Sequence, residues 1–391
     1  MRLATAIGAI YALIYIMTLE ELTTLEKLNI AFYDCAKVSF WKEATQRYKS
    51  NLLINNIQLQ EDLRSENYKV SPTIDFTINE RGKRRDINAP ALRDRVIQKA
   101  LCQQILVPQL SKLLIYDNYA SLKNRGTSFA RKRIDVLLRK FIRKYGTDGY
   151  ILQIDIKKYF ASIDHSILKQ LIHKRVHEPD DVMRLIDYVI DTSSDGDKGL
   201  NLGAEAPQIF AIYYLADLDN YIKSVKGVKY YGRYMDDMFI LANSKTELRA
   251  LLEDIKAQLA RVKLEINSMK THITPLRHGF TYMQIKYNIV GNKVIKRPTR
   301  AKIIRERRRL KKFKEKYNQG LISDWEVLNA YKSWRNSLLK DCPQSKRTIG
   351  VMDILFKQLF PWSIKYKRPT REELIQEIFK DKEARECISL D

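Results

Sequence analysis

Val228-Lys229-Tyr230-Tyr231-Gly232-Arg233-Tyr234-Met235-Asp236-Asp237-Met238-Phe239-Ile240-Leu241 is the stretch on which the fold turns. Its two apolar and aromatic runs, broken at Asp236-Asp237, predict a pair of strands. Adjacent acids within such a run are locally unfavourable, because their carboxylates repel at close range. A bivalent cation removes that penalty. An Asx-type turn at a strand end explains the same pair without any chemistry, so the pair alone decides nothing.

A second acid does. Tyr150-Ile151-Leu152-Gln153-Ile154-Asp155 reads as a short apolar strand ending in a carboxylate. Strand ends of one sheet can converge, so Asp155 with Asp236 and Asp237 can hold two Mg²⁺ roughly 4 Å apart. Oxygen ligands without His or Cys suit Mg²⁺ rather than zinc. Such a pair of ions activates a 3′-hydroxyl and stabilises a leaving pyrophosphate.

Around this centre the chain alternates helix and strand. Residues 18–70 carry leucines near helical spacing, with Thr18 and Glu21 as a capping box. Residues 75–88 read as a hairpin with a Gly82 turn, and Arg93 to Val107 as a helix stopped by Pro108. Ser128 to Tyr145 is a basic helix ending at Gly146, and Pro207 to Tyr221 a core helix. Thr246 to Val262 is amphipathic, Phe280 to Ile295 returns to strand, and the chain beyond Pro298 is helical and basic.

With 391 residues, 45% of them hydrophobic, the chain supports a packed core and is not a disordered polyelectrolyte. Its formal charge of +24 favours a polyanion as partner, nucleic acid before an anionic membrane surface. Cys35, Cys102, Cys342 and Cys387 lie far apart, which argues against a zinc site or a disulfide framework and makes a reducing cytoplasm the expected location. The apolar run Ala4 to Ile16 is too short to span a bilayer and lacks a small-residue cleavage site. It reads as a buried helical segment, or as an extension ahead of a start at Met17, rather than as a targeting signal.

Asp155-xxxx-Phe160 with Ser162-Ile163-Asp164-His165, followed by Tyr234-Met235-Asp236-Asp237, resembles the palm motifs of reverse transcriptases. Arg93-Asp94-Arg95-Val96-Ile97-Gln98 after Ala89-Pro90, and Asp117-Asn118-Tyr119-Ala120 with Arg125-Gly126-Thr127, resemble the fingers blocks of group II intron and diversity-generating retroelement enzymes. The ordered blocks cover roughly residues 30–340.

The resemblance implies an α+β right-hand polymerase with fingers, palm and thumb. It makes Asp155, Asp236 and Asp237 metal ligands, with Ile156 in the same set. It makes Phe160 the bulky gate against a ribose 2′-hydroxyl, Gln208 a contact to the incoming nucleotide, and Lys270 a lysine near the triphosphate that can protonate pyrophosphate. Lys83, Arg84 and Arg85 on the fingers hairpin are candidates to grip the triphosphate, with no means of choosing among them. Two departures stand out: Pro207-Gln208-Ile209 lacks the usual Gly after Pro-Gln, and Tyr282-Met283 precedes Gln284 rather than Gly. The resemblance is therefore to compact defence-associated bacterial enzymes, or to a divergent diversity-generating one.

Lys296 to Lys316 holds twelve Lys and Arg against two Glu, too one-sided for pairing along a helix to explain. Arg305, Arg308, Arg309 and Lys312 are candidate phosphate contacts of a thumb helix, and the basic helix before Gly146 adds a second patch. The expected domains are a helical extension over 1–69, fingers and palm over 70–297, and a thumb with tail over 298–391. The expected partners are an RNA template or non-coding RNA, a DNA primer and product, and dNTPs. A protein partner or a second copy of the chain is left open, and no membrane is expected. Rival readings are a silent RNA-binding scaffold and a protein-primed polymerase.

Overall fold

The computed structural model describes residues 16–80 and 83–364. The apolar stretch from Ala4 to Tyr15 lies outside the described residues. The chain divides into two compact units, residues 1–276 and 277–391. Both mix helices with antiparallel strands, so the fold is α+β. The strands between 280 and 298 form a sheet of their own in the second unit.

The first unit opens with α1 (Leu19–Leu22), α2 (Leu25–Ala36), α3 (Glu43–Ser50) and α4 (Leu52–Arg64). The Thr18 capping box is formed: Glu21 N donates to Thr18 Oγ1 at 3.2 Å, and Thr18 N to Glu21 Oε2 at 3.0 Å. A hairpin of β1 (Ile74–Glu80) and β2 (Lys83–Ala89) leads into α5 (Leu92–Leu101).

The Arg93-Asp94-Arg95 block at the start of α5 fastens these helices to one another. Asp94 is fully buried and accepts from Tyr68 Oη at 2.8 Å and Ser71 N at 2.9 Å. Arg93 lies over the Tyr68 ring and pairs with Asp62, and Arg95 Nη2 reaches the Cys35 carbonyl at 3.2 Å. Pro108 does not stop the helix. Cys102–Leu106 widens into a π-helical turn, and α6 (Val107–Leu110) continues with Pro108 near its start. The wider turn gives the proline ring room and does not need the N–H it lacks.

After α7 (Thr127–Tyr145), which ends at Gly146 with φ +77°, comes the sheet that carries the acids. Its order is β4-β5-β3-β6, where β3 is Tyr150–Ile154, β4 Tyr231–Tyr234, β5 Asp237–Ala242 and β6 His272–Pro275. Strand β6 lacks a long apolar run and ends in proline, which an edge strand tolerates. Between β3 and β4 the chain forms α8 (Tyr159–Ser162), α9 (His165–His173), α10 (Asp180–Asp191), α11 (Glu205–Tyr214) and α12 (Ala216–Asn220), and α13 (Lys245–Arg261) follows β5. Helix α11 is apolar all round and buries Ile209, Phe210, Ile212 and Tyr214 in the core.

The second unit pairs β7 (Phe280–Tyr282), β8 (Ile285–Val290) and β9 (Lys293–Pro298) in sequence order, and adds α14 (Arg300–Asn318), α15 (Asp324–Asp341) and α16 (Lys346–Leu359). Met283 and Gln284 form a two-residue turn with φ +46° and +63° where the sequence lacks the usual glycine. Leu310, Val327, Tyr331, Met352, Phe356 and Phe360 make the helical core, with Tyr331 and Phe356 stacked at 4.1 Å. Among the described residues no helix is long and apolar enough to cross a membrane.

Glycine matters most at Gly232, inside β4. A Cβ there would stand 2.1 Å from Tyr119 Oη and 2.6 Å from Tyr119 Cζ. Tyr119 is fully buried, and its N–H donates to the Arg233 carbonyl at 2.9 Å, so neither partner can retreat. Gly232→Ala is expected to cost about 1–3 kcal/mol, the usual range for overpacking, read as a lower thermal midpoint. G232A/Y119F should recover part of that loss, because the hydroxyl is the nearest obstruction.

Candidate active site

Strand register brings the acids together. In the antiparallel pairing of β3 with β5, Ile154 lies opposite Met238. One step further, Asp155 leaves β3 at the level where Asp237 enters β5. Tyr234 pairs with Asp237 across β4 and β5, so Met235 and Asp236 are the two residues of the hairpin turn. Met235 alone of the two has positive φ, +54°, as at the first central position of a type II′ turn. The sequence pattern puts both acids in the break between the strands; Asp237 in fact begins β5.

The segment after α13 wraps around Asp155. Asn267 N donates to the Asp155 carbonyl at 2.7 Å, and Asn267 Nδ2 to Asp155 Oδ2 at 3.1 Å. Lys270 Nζ sits 2.7 and 2.8 Å from the two carboxylate oxygens. Hydrogen bonding to Asp155 is the main cause of a raised Lys270 pKa; burial opposes it, and the charges of Asp155, Asp236 and Asp237 add to it. Burial likewise raises the Asp236 pKa. The neighbouring Asp155 adds to that rise, while Lys270 and Arg85 pull against it. The three acids and the ammonium therefore share one electrostatic site.

The set fits divalent cations in its chemistry: carboxylate oxygens only, in mutual repulsion, at a place that already draws in a positive group. Among the described residues, however, no three His, Cys, Asp or Glu side chains are grouped so as to hold a metal. Lys270 occupies both oxygens of the Asp155 carboxylate. Ile156 is buried and bridges to Ile266, with the bonds carried by Lys157 N to Glu265 O and Asn267 N to Asp155 O. Those bonds leave the Ile156 carbonyl, the only oxygen this residue has, outside the bridge.

The hairpin separates two of its three cations. Arg85 pairs with Ile78 and shares the strand face of Phe76 and Ile87; it acts on Asp236 electrostatically. Arg84 lies on the opposite face, 3.5 Å from Asp86. The Lys83 side chain lies outside the described residues. Phe160 is half-buried on α8, which is held by a hydrogen bond from Tyr159 Oη to the Ala211 carbonyl. Gln208 is the one exposed residue between Ala204 and Ala216, and its Oε1 accepts from Ser121 Oγ at 3.0 Å. The Ser162–His165 block is structural: Asp164 caps α9 and pairs with Lys263 at 2.6 Å, and buried His165 meets the Gly199 carbonyl at 2.7 Å.

On α14, in the second unit, Arg305, Arg308 and Lys312 are exposed at helical spacing on one face. Arg309 turns inward: its Nη2 lies 2.6 Å from Glu306 Oε1 and 3.2 Å from the Ala330 carbonyl, with its guanidinium over Phe313. These contacts tie Arg309 to its own unit, with 39% of its side-chain surface still exposed.

Two neighbours of the acids escape a reading of the sequence. Asn267 lies in the same short block as Lys270, and its capacity to hold a carboxylate is the available signal. Arg233 is a charge inside an apolar strand run, a pattern that marks a buried partner; it is fully buried behind the turn.

Asp236 holds its proton to higher pH in the folded chain than in the unfolded one. Its contribution is therefore favourable below the ordinary carboxyl range and is lost as pH rises through the raised value. In cation-free buffer at neutral pH, Asp236→Asn is expected to raise the thermal midpoint by roughly 2 °C and to remove the loss of stability that accompanies ionisation of Asp236 as pH rises. Calorimetry across pH 3–7 (roughly the carboxyl range) measures both.

A family model described as reverse transcriptase (RNA-dependent DNA polymerase) matches residues 75–289. Protein YkfC of Escherichia coli (strain K12) is 21% identical over 286 residues, covering 62% of this chain and 71% of that protein. Among solved structures, apo telomerase from Candida tropicalis truncated from its C-terminal domain aligns with a TM-score of 0.44 and 14% identity, over 63% of this chain and 60% of that one. Telomerase from Candida albicans in complex with a telomeric RNA fragment aligns at 0.46 and 13%, over 80% and 58%. The chain thus spans about three-fifths of the telomerase chains it aligns with. The family match covers more than half of the 391 residues, and the chain belongs to the reverse transcriptase (RNA-dependent DNA polymerase) family.

Proposed function

We propose that this RNA-directed DNA polymerase makes cDNA from an associated structured RNA, with Asp155, Asp236 and Asp237 holding two Mg²⁺ ions, and that it serves antiviral defence. The observation that carries the site assignment is the placing of a single ammonium, Lys270, in the field of all three acids. A site that draws in a lysine at 2.7 Å is one that demands positive charge. Bound there, divalent ions would lower the pKa of the primer 3′-hydroxyl and offset charge on the leaving pyrophosphate.

The surrounding residues have separable tasks. Arg85 faces the acids and grips the triphosphate, a role that Arg84, on the other face of its hairpin, does not share. Lys270 carries a proton at the same edge and gives it to pyrophosphate once its bond to Asp155 is released. Phe160 walls off the ribose 2′-hydroxyl. Gln208 contacts the incoming nucleotide, oriented by Ser121. The exposed Arg305, Arg308 and Lys312 hold phosphates of the template–product duplex without reading sequence. Sequencing the nucleic acid that co-purifies separates the two biological roles: one repeated or single-locus cDNA belongs to defence, errors scattered at adenines to diversification.

Asp236→Ala with Asp237→Ala is expected to reduce dNTP incorporation below detection while leaving RNA affinity within about twofold, since the acids contribute nothing favourable to phosphate binding. Continued synthesis by the double variant would refute the site. Replacing Arg305, Arg308 and Lys312 together by Ala should lower the slope of log affinity against log salt by roughly 2–3, at about 0.7–0.9 for each phosphate no longer neutralised. Arg309→Ala should leave that slope unchanged and lower the thermal midpoint instead.

A further inference from the structure

Arg233 is an arginine with no solvent exposure, inside a β-strand, one residue before the Tyr234-Met235-Asp236-Asp237 turn. Its Nε lies 2.9 and 3.0 Å from the two Asp219 carboxylate oxygens, and Nη2 lies 2.6 Å from Asp219 Oδ2. Asp219 is equally buried and also accepts from Tyr231 Oη at 2.5 Å. The guanidinium also reaches beyond the ion pair. Nη2 donates to the Ile212 carbonyl on α11 at 2.7 Å, and Nη1 donates to the Met235 carbonyl at 3.1 Å. The backbone of Arg233 is held as well, its N–H by the Asp117 carbonyl at 3.0 Å and its carbonyl by Tyr119 N–H at 2.9 Å.

Met235 is the left-handed residue of the turn, with φ +54°. A non-glycine side chain in that region is strained and persists only where its surroundings over-determine it. Arg233 is a fixed donor on the carbonyl of that residue, and the same planar fork is clamped to two helices behind the sheet. Lysine could keep the charge beside Asp219, but it has no planar fork to serve all three acceptors at once.

We infer that Arg233 is a positioning residue for nucleotide transfer: its guanidinium, anchored by Asp219, holds the Met235 carbonyl and so fixes the left-handed turn on which Asp236 and Asp237 stand. The inference rests on the reading of those acids as the reactive centre. Arg233 touches no substrate and acts only through the turn. Misplacing a reactive group by about 1 Å can cost on the order of 10²-fold in rate.

The test compares Arg233→Lys, Met235→Gly and their combination in the full chain, with steady-state dNTP incorporation, RNA affinity and thermal midpoint read on each. R233K should lower kcat at least tenfold while the KM for dNTP and the RNA affinity stay within about twofold. M235G adopts positive φ without strain, so it should stay active alone and restore much of the lost kcat in R233K. A merely structural arginine predicts no such rescue. Unchanged kcat in R233K, or a loss that M235G does not relieve, overturns the inference. If R233K does not fold, R233M/D219L removes both charges together and supplies the background for the same comparison. Failure of both to fold assigns the pair to stability alone and also overturns it. The D236A/D237A variant keeps the two claims apart: its activity refutes the site, whereas its inactivity beside a fully active R233K refutes only the role of Arg233.

Discussion

Like charges crowded at one edge of one sheet are what this polymerase is arranged around. The pairing of Ile154 with Met238, and of Tyr234 with Asp237, sets Asp155 level with Asp237 and beside the turn that carries Asp236. Burial raises the cost further, as the upward shift of Asp236 shows. Each unusual neighbour answers that cost. Lys270 and Asn267 hold Asp155 from a segment more than a hundred residues away in sequence. Arg85 approaches from the fingers hairpin, and Arg233 braces the turn from behind.

The motif blocks divide into those that meet the acids and those that hold the scaffold. Arg93-Asp94-Arg95 and Asp117-Asn118-Tyr119-Ala120 look like chemistry when read as motifs, yet both tie elements together. Asp94 is buried among N-terminal residues, and Asp117 accepts from Arg133 at 2.8 Å and Lys223 at 3.2 Å while its carbonyl receives the Arg233 N–H. The Asp164–His165 pair is likewise spent on capping and packing. A buried, fully paired charge of this kind is a poor source of stability, and its usual consequence is one geometry rather than several.

Much of the site is legible along the chain because it depends on local rules. An apolar strand that ends in an acid, and a hairpin interrupted by two acids, are visible wherever they occur, and sheet pairing must bring such ends together. Arg85 cannot be chosen over Arg84 in this way, because the choice depends on which hairpin face meets the acids. Nor can Arg309 be separated from its neighbours, because a run of cations says nothing about which one meets Glu306. The π-helical turn before Pro108 and the edge strand β6 also escape local rules, since tertiary packing makes both conformations acceptable where local preference does not.

Charge, period and spacing are properties of the chain, so the strand that ends at Asp155, the hairpin broken at Asp236-Asp237 and the excess of positive charge that favours a polyanion could be read there. Which cations answer those acids is settled by folding alone. Lys270 and Arg85 come to the acids from segments distant in sequence, with the neutral Asn267 beside Lys270. Arg233, three residues before Asp236, finds Asp219 and the Ile212 carbonyl only once the helices have packed. Electrostatic work depends on distance in space, and that distance exists only after the sheet has closed and the helices have packed behind it.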